Sequence, residues 1–192
     1  MPASLQHPVT TNSIFYPLSE FYEELELSLP EITRLAPAEV PEPFCSLLVH
    51  DRDMTPTLEA AHDGKLGLRL LRFARQDDVV NRIVALVLSR DGRTVGMGAI
   101  RIFLEHLPPA AKDSVLEGHE PFGAILRQSA VTHCSRPVAY FRVKADSLIA
   151  GALGTELFHA LYGRRNTIWN SFGQPLAEVV EILPPSGDPR GV

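Results

Sequence analysis

The sequence predicts an α+β fold, an antiparallel β-sheet with helices packed against it. Three observations predict it. Two long apolar runs, "VVNRIVALVLS" and "TVGMGAIRIFL", flank Asp91-Gly92, a strong hairpin signal. A second pair of apolar runs, in "GRRNTIWNSFGQPLAEVVEILPP" at 163–185, turns at Gly173. Segments of helical spacing lie before and between the two hairpins. Strands joined by tight turns are antiparallel, and such a sheet combined with helices gives the α+β class.

The elements follow in order. Residues 1–13 read as a frayed arm. Phe15, Leu18, Phe21 and Tyr22 then recur at helical spacing, with Ser19 as a cap candidate. Prolines 37, 41 and 43 mark a linker. In "RDMTPTLEAAHDGKL", Thr55 can cap a short helix, Pro56 suits its first position, and Gly64 closes it. "LGLRLLRFAR" (66–75) is strand-like. Two short helices are predicted at 109–117 and 121–128, and a strand at 138–143. "DSLIAGALGTELFHALYG" reads as one helix, capped near Asp146 and ended by Gly163.

Composition excludes several classes. With 192 residues, 45% of them apolar, the chain can build a core without staples. A net charge of −5 gives no bulk attraction to nucleic acid or to an anionic membrane. Neither a signal peptide nor a membrane-length apolar run is seen. Cys45 and Cys134 lack metal spacing and suit free thiols in a reducing cytosol. No metal is expected. His133 and Cys134 are adjacent, so their side chains point apart on an extended chain. "HDRD" (50–53) reads as a polar loop tied by its own ion pairs, and Trp169 as a core or cross-strand residue.

Arginines and carboxylates on the strands carry the functional question. With a two-residue loop at Asp91-Gly92, Arg90 opposes Arg93, Leu88 opposes Val95, Leu86 opposes Met97, and Val84 opposes Ala99. Arg82 then opposes Arg101. This register makes an apolar stripe with two guanidiniums side by side at one end. Like charges directly opposite destabilise a sheet, and arginine is rarely buried unpaired. Either both snorkel to solvent or an anion compensates them; the pattern does not choose. On the last strand Glu181 shares a face with Ala177, Val179 and Leu183, and Glu178 lies on the other face; Glu181 is either a site carboxylate or one half of a plain salt bridge to Arg164 or Arg165 across the second hairpin. Arg164 and Arg165 point to opposite faces, so one of them at most joins a given site; Arg165 is carried as the candidate.

The motifs "RDMTPTLE" (52–59), "NRIVALVLSRDG" (81–92), "EPFGAIL" (120–126), "YGRRNTIWNSFGQPL" (162–176) and "EILPP" (181–185) resemble, in order and spacing, the chorismate lyase family and most closely its divergent bacterial branch. The resemblance spans roughly residues 50–185. It implies a six-stranded antiparallel sheet, helices on one side, and helical flaps enclosing the ligand. It divides the chain into an arm and linker at 1–45, a lyase-like domain at 46–186 and a flexible tail at 187–192. It implies cleavage of chorismate to 4-hydroxybenzoate and pyruvate without cofactor or metal. Matched by motif, Arg82 and Glu181 would be catalytic, and Met54, Phe122 and Gly123 would line the pocket. Ala99 occupies the position of the family's second arginine, and Arg101, two residues on, is its substitute.

Chorismate is a dianion, and becoming aromatic drives its cleavage, so the protein must bind carboxylates, orient the leaving group and exclude water. The planar fork of arginine suits carboxylate. In this reading Arg82 holds one carboxylate and Arg101 holds the ether or the second carboxylate. Glu181 bonds the ring hydroxyl and accepts the proton if burial raises its pKa. The expected partners are thus a small dicarboxylate and its aromatic acid product, with no nucleic acid or membrane, in the cytoplasm. The alternative is a non-catalytic binder or sensor of small aromatic acids. The family's fold resembles the effector-binding domains of some transcription regulators, and the first 45 residues hold no helix-turn-helix candidate.

Overall fold

The computed structural model describes residues 14–185. The arm at 1–13 and the tail at 187–192 lie outside the described residues. Seven strands form one antiparallel sheet: β1 (Ile32–Leu35), β2 (Leu66–Gln76), β3 (Val79–Leu88), β4 (Thr94–Phe103), β5 (His133–Lys144), β6 (Ala160–Asn170) and β7 (Pro175–Leu183), in spatial order β1-β5-β6-β7-β4-β3-β2. Among the described residues six α-helices accompany it: α1 (Leu18–Glu24), α2 (Phe44–Leu48), α3 (Met54–Ala61), α4 (Pro109–Glu117), α5 (Phe122–Gln128) and α6 (Ser147–Leu153). The fold class is α+β, as the hairpins imply. The sheet has seven strands against the six implied by resemblance, because Ile32–Leu35 pairs with β5 at one edge.

Helices α2 to α5 cover the face that carries Arg82. Phe44, Leu48, Met54 and Leu58 pack there with Leu86, Val95 and Leu183. Val115, Phe122, Ile125 and Leu126 pack with Ile100, Ile102 and Val179. The space between these two apolar clusters is the candidate site. On the opposite face, Leu18, Phe21 and Tyr22 of α1 and Ile149 and Leu153 of α6 pack on Ile83, Met97, Phe141 and Val180. Burying such side chains contributes roughly 1.5–3 kcal/mol each.

Several sequence expectations change. Asp53, not Thr55, precedes α3, which begins at Met54, so Pro56 is its third residue. Ser19 lies inside α1, which begins at Leu18, and does not cap it. The first hairpin has a four-residue loop, residues 89–92: Leu88 N–H donates to the Arg93 carbonyl, and Gly92 N–H to that of Leu88. A bulge at Val95 then inserts an extra residue into β4, so Leu86 opposes Gly96, Arg82 opposes Ile100, and Asn81 opposes Arg101. A one-residue slip moves a side chain to the other face, so the Arg82–Arg101 pair is not formed. The predicted long helix is also shorter. Asp146 does cap it, accepting from Ile149 N–H at 3.0 Å. But Gly154, at φ +68°, ends α6, and Ala160 already belongs to β6.

Gly163 is a packing requirement. A Cβ there would sit 2.5 Å from the Glu181 carbonyl oxygen and 2.6 Å from the Phe141 ring. The backbone neighbour cannot rotate away. Gly163→Ala is therefore expected to lower the free energy of unfolding in urea by about 3 kcal/mol. Unchanged stability would contradict this account of the β5–β6–β7 packing.

Candidate functional site

Strand pairing builds the floor of the site in two rows. One row runs Arg82, Ile100, Val179, Asn166 across β3, β4, β7 and β6. The next runs Val84, Gly98, Glu181, Arg164 over the same strands. Arg82 and Asn166 thus stand three strand spacings apart, roughly 14 Å. Gly98, without a side chain, leaves room between Val84 and Glu181. Asp53, Met54 and Thr55 from the start of α3, and Pro121, Phe122 and Gly123 from the start of α5, line the cavity with this floor. Its volume is about 60 Å³. A water needs roughly 10–15 Å³ on that measure, so there is room for several waters or one compact ligand.

Arg82 is 1% exposed. Its Nη2 donates to the Glu120 carbonyl at 3.4 Å. Its Nε and Nη1 have no hydrogen-bond partner among the described residues, and no carboxylate there lies within ion-pair reach. Burial pulls the guanidinium down from its ordinary value to about 10, so it is still a cation at neutral pH. A buried, incompletely bonded cation is costly. Asn166, 1% exposed, leaves its Oδ1 without a partner in the same cavity.

Arg164 is the contrasting case. It is fully buried and fully engaged. Nε donates to Glu181 Oε2 at 2.6 Å. Nη1 donates to the carbonyls of Leu48 at 3.2 Å and His50 at 2.9 Å, and Nη2 to that of Arg52 at 3.1 Å. It therefore clamps the loop between α2 and α3. His50 is part of this clamp: Nε2 donates to the Leu47 carbonyl, and Nδ1 accepts from Arg52 N–H. Burial, then the Arg164 charge, lowers its pKa, matching a neutral ring.

The start of α3 is held from the other side. Asp53 Oδ2 accepts from His133 Nε2 at 2.7 Å, and Oδ1 accepts from Ser135 Oγ at 2.9 Å. His133 Nδ1 faces the Val131 carbonyl at 2.8 Å. Both ring nitrogens thus meet acceptors, which suits an imidazolium. The Asp53 bond raises the His133 pKa against the effect of burial. Burial pushes the Asp53 carboxyl up, but the bonds from His133 and Ser135 outweigh it and hold the carboxyl below its ordinary value. "HDRD" is accordingly not tied by ion pairs of its own: among the described residues, Asp53 pairs with His133.

Of the residues singled out in the sequence, the fold brings Arg82, Met54, Phe122, Gly123 and Glu181 to one cavity. It does not bring Arg101 or Arg165. Both lie on the opposite face. Arg101 Nη1 contacts the two Glu20 oxygens at 3.0 and 2.7 Å. Arg165 Nη2 donates to Glu178 at 3.1 Å. Both guanidiniums stand over the Tyr16 ring, at 6.0 and 5.3 Å from its centre. They dock the N-terminal segment to the sheet. Burial, followed by Glu178 and Glu20, pushes the Tyr16 phenol up to about 12. Arg164, Asn166, Asp53, His133 and Ser135 were not legible as site residues. The one available signal was the second hairpin, in which Arg164 opposes Glu181.

No protein-family model matches the sequence, and no curated protein matches it. Solved structures do. The effector domain of PhnF from Mycobacterium smegmatis is similar at 13% identity and TM-score 0.52, over 69% of this chain and 88% of that one. The PhnF structure from the same organism matches at 12% and 0.51, over 87% and 93%. The possible transcriptional regulator YydK from Bacillus subtilis matches at 14% and 0.51, over 87% and 91%. At these identities the likeness shows a shared fold. It overturns the lyase expectation: the structures to which this chain is similar are regulator and effector-domain structures, and none of these three is described as a lyase. The site agrees, since the second arginine lies on the far face and a Glu181 oxygen is engaged by Arg164. The chorismate lyase resemblance holds for the fold; membership of that family is not shown.

The His133–Asp53 latch makes a testable pH statement. A raised His133 pKa contributes stability below the ordinary value of 6.5 that is lost as pH rises through the folded value. A depressed Asp53 pKa contributes above the ordinary 3.8 and is lost as pH falls through its folded value. The latch is thus complete between those two ordinary values. Proton NMR should place the His133 midpoint above 6.5, and Asp53→Asn should lower it. A wild-type midpoint at or below 6.5 would contradict the pairing.

Proposed function

We propose that this chain is a non-catalytic binding domain of effector type, which senses a small carboxylic acid. The observation that carries the reading is Arg82: a buried cation in a lidded cavity, with two nitrogens, Nε and Nη1, that the described residues leave unbonded. A carboxylate beside Nη1 would accept one of these bonds at full charge-assisted strength and offset the burial cost of the cation. Met54, Phe122, Ile100 and Val179 supply apolar walls suited to a ring, and Asn166 supplies a polar group at the far end of the floor. An aromatic acid fits this division better than a small polar anion. Similarity to the PhnF effector domain and to YydK supports a binding role on this fold.

The reading needs no chemistry from Glu181, whose Oε2 accepts from Arg164. We infer that this carboxylate anchors Arg164 and so keeps the roof of the cavity in place. No helix among the described residues is long and apolar enough to cross a membrane. The free thiols Cys45 and Cys134 support placement in a reducing compartment.

Calorimetry with benzoate and 4-hydroxybenzoate tests the proposal. Arg82→Ala should weaken binding by roughly ten- to a hundredfold, the equivalent of one charge-assisted contact. Arg101→Ala and Arg165→Ala should change it little. Affinity should hold between pH 6 and pH 8, where Arg82 is a cation and the ligand a carboxylate. Wild-type affinity in Arg82→Ala, or pyruvate release from chorismate, would refute the reading.

A further inference from the structure

A second, larger cavity lies away from Arg82. It measures about 660 Å³ and sits where the two helical layers reach the same end of the sheet. Phe44 and Leu47 of α2 form one wall; Val95 of β4, Leu183 of β7 and Leu153 of α6 form the others. This volume and lining match the usual small-molecule pocket, mostly apolar with a few convergent polar groups. The helix α3 reaches both cavities, with Met54 and Thr55 at the first, and Ala61 and its C-cap His62 at the second.

The polar groups of this groove are uneven in sign and in availability. Arg93 lines it, and its side chain makes no hydrogen bond or ion pair among the described residues. His62 lines it too, with Nδ1 buried and without a partner. The one carboxylate on the lining, Glu42, already accepts from Ser46 through both oxygens, at 3.2 and 2.9 Å. Glu42 therefore offers its charge but little spare bonding capacity. One available cationic fork with one fixed negative charge nearby favours a monoanion over a dianion. The apolar walls favour a hydrocarbon body.

We infer that this groove is a second ligand site, for a monocarboxylate with an apolar tail, seated by Arg93 and resting on Phe44, Leu47, Val95 and Leu153. It is separate from the Arg82 cavity and does not depend on the function proposed there. The anion bridges toward His62, and the tail runs between α2 and α6.

Octanoate titrated into the full chain, followed by calorimetry, is the direct test, with octanamide as the uncharged comparison. The expected result is saturable one-to-one binding that falls about tenfold or more in Arg93→Ala and with octanamide. Arg82→Ala should leave it within about twofold, as expected for sites with no shared partner. Arg93 is exposed, so its replacement leaves the core intact. Burial first, then Arg93 and Arg90, holds the His62 pKa below its ordinary value, so bound octanoate should raise its NMR titration midpoint. Absence of saturable binding, equal affinity in Arg93→Ala, or loss of binding in Arg82→Ala would overturn the assignment.

Discussion

The Arg164 guanidinium, buried completely in the sheet, bonds one carboxylate and three backbone carbonyls. Those carbonyls belong to residues 48–52, the loop that leads into α3 and hence into the roof of the site. Without that clamp the loop would bury backbone acceptors with no donor, at roughly 1–3 kcal/mol each. Glu181 neutralises the clamp from the neighbouring strand. The Asp53–His133–Ser135 contact fixes the next residues of the same segment. The roof is thus tied to the sheet at two points, on β6 and on β5, and the cavity is the space those ties enclose.

Against that background Arg82 is an exception with a purpose. Two arginines stand on the same face of one sheet, both almost wholly buried, and only one is satisfied by the described residues. A fold that can saturate Arg164 with four acceptors has no general difficulty in doing so. The carbonyl at Glu120 gives Arg82 a single long bond. The unsatisfied N–H groups, the unpaired Asn166 Oδ1 and the missing side chain at Gly98 lie together on one floor. Unsatisfied buried groups are rare in folded proteins and cluster where a ligand completes them.

Much of this was legible in the sequence, for physical reasons. Asp91-Gly92 and Gly173 located both hairpins, because tight turns need the residues that suit them. Alternation placed Glu181 and Glu178 on opposite faces, and Arg164 and Arg165 likewise. What failed was counting through an irregularity. The bulge at Val95 has no sequence mark, and one added residue sent Arg101 to the far face, where Glu20 was waiting. The choice of Arg165 over Arg164 had no local basis either, since the loop that selects Arg164 is more than a hundred residues away. Asp53 and His133 are 80 positions apart, and only the fold makes them neighbours.

The larger groove by α2 and α6 shows that volume alone does not identify the site. It is roomier, yet its available arginine, Arg93, is exposed, and the buried, incompletely bonded cation sits in the smaller cavity. The central claim is that the Arg82 fork is held open for an anion. Nitrogen-15 NMR of the arginine side chains tests it most directly. On adding 4-hydroxybenzoate, the Nε–H resonance of Arg82 should shift downfield and become protected from exchange, while those of Arg101, Arg164 and Arg165 stay in place. A stationary Arg82 signal, with shifts confined to surface arginines, would contradict the account.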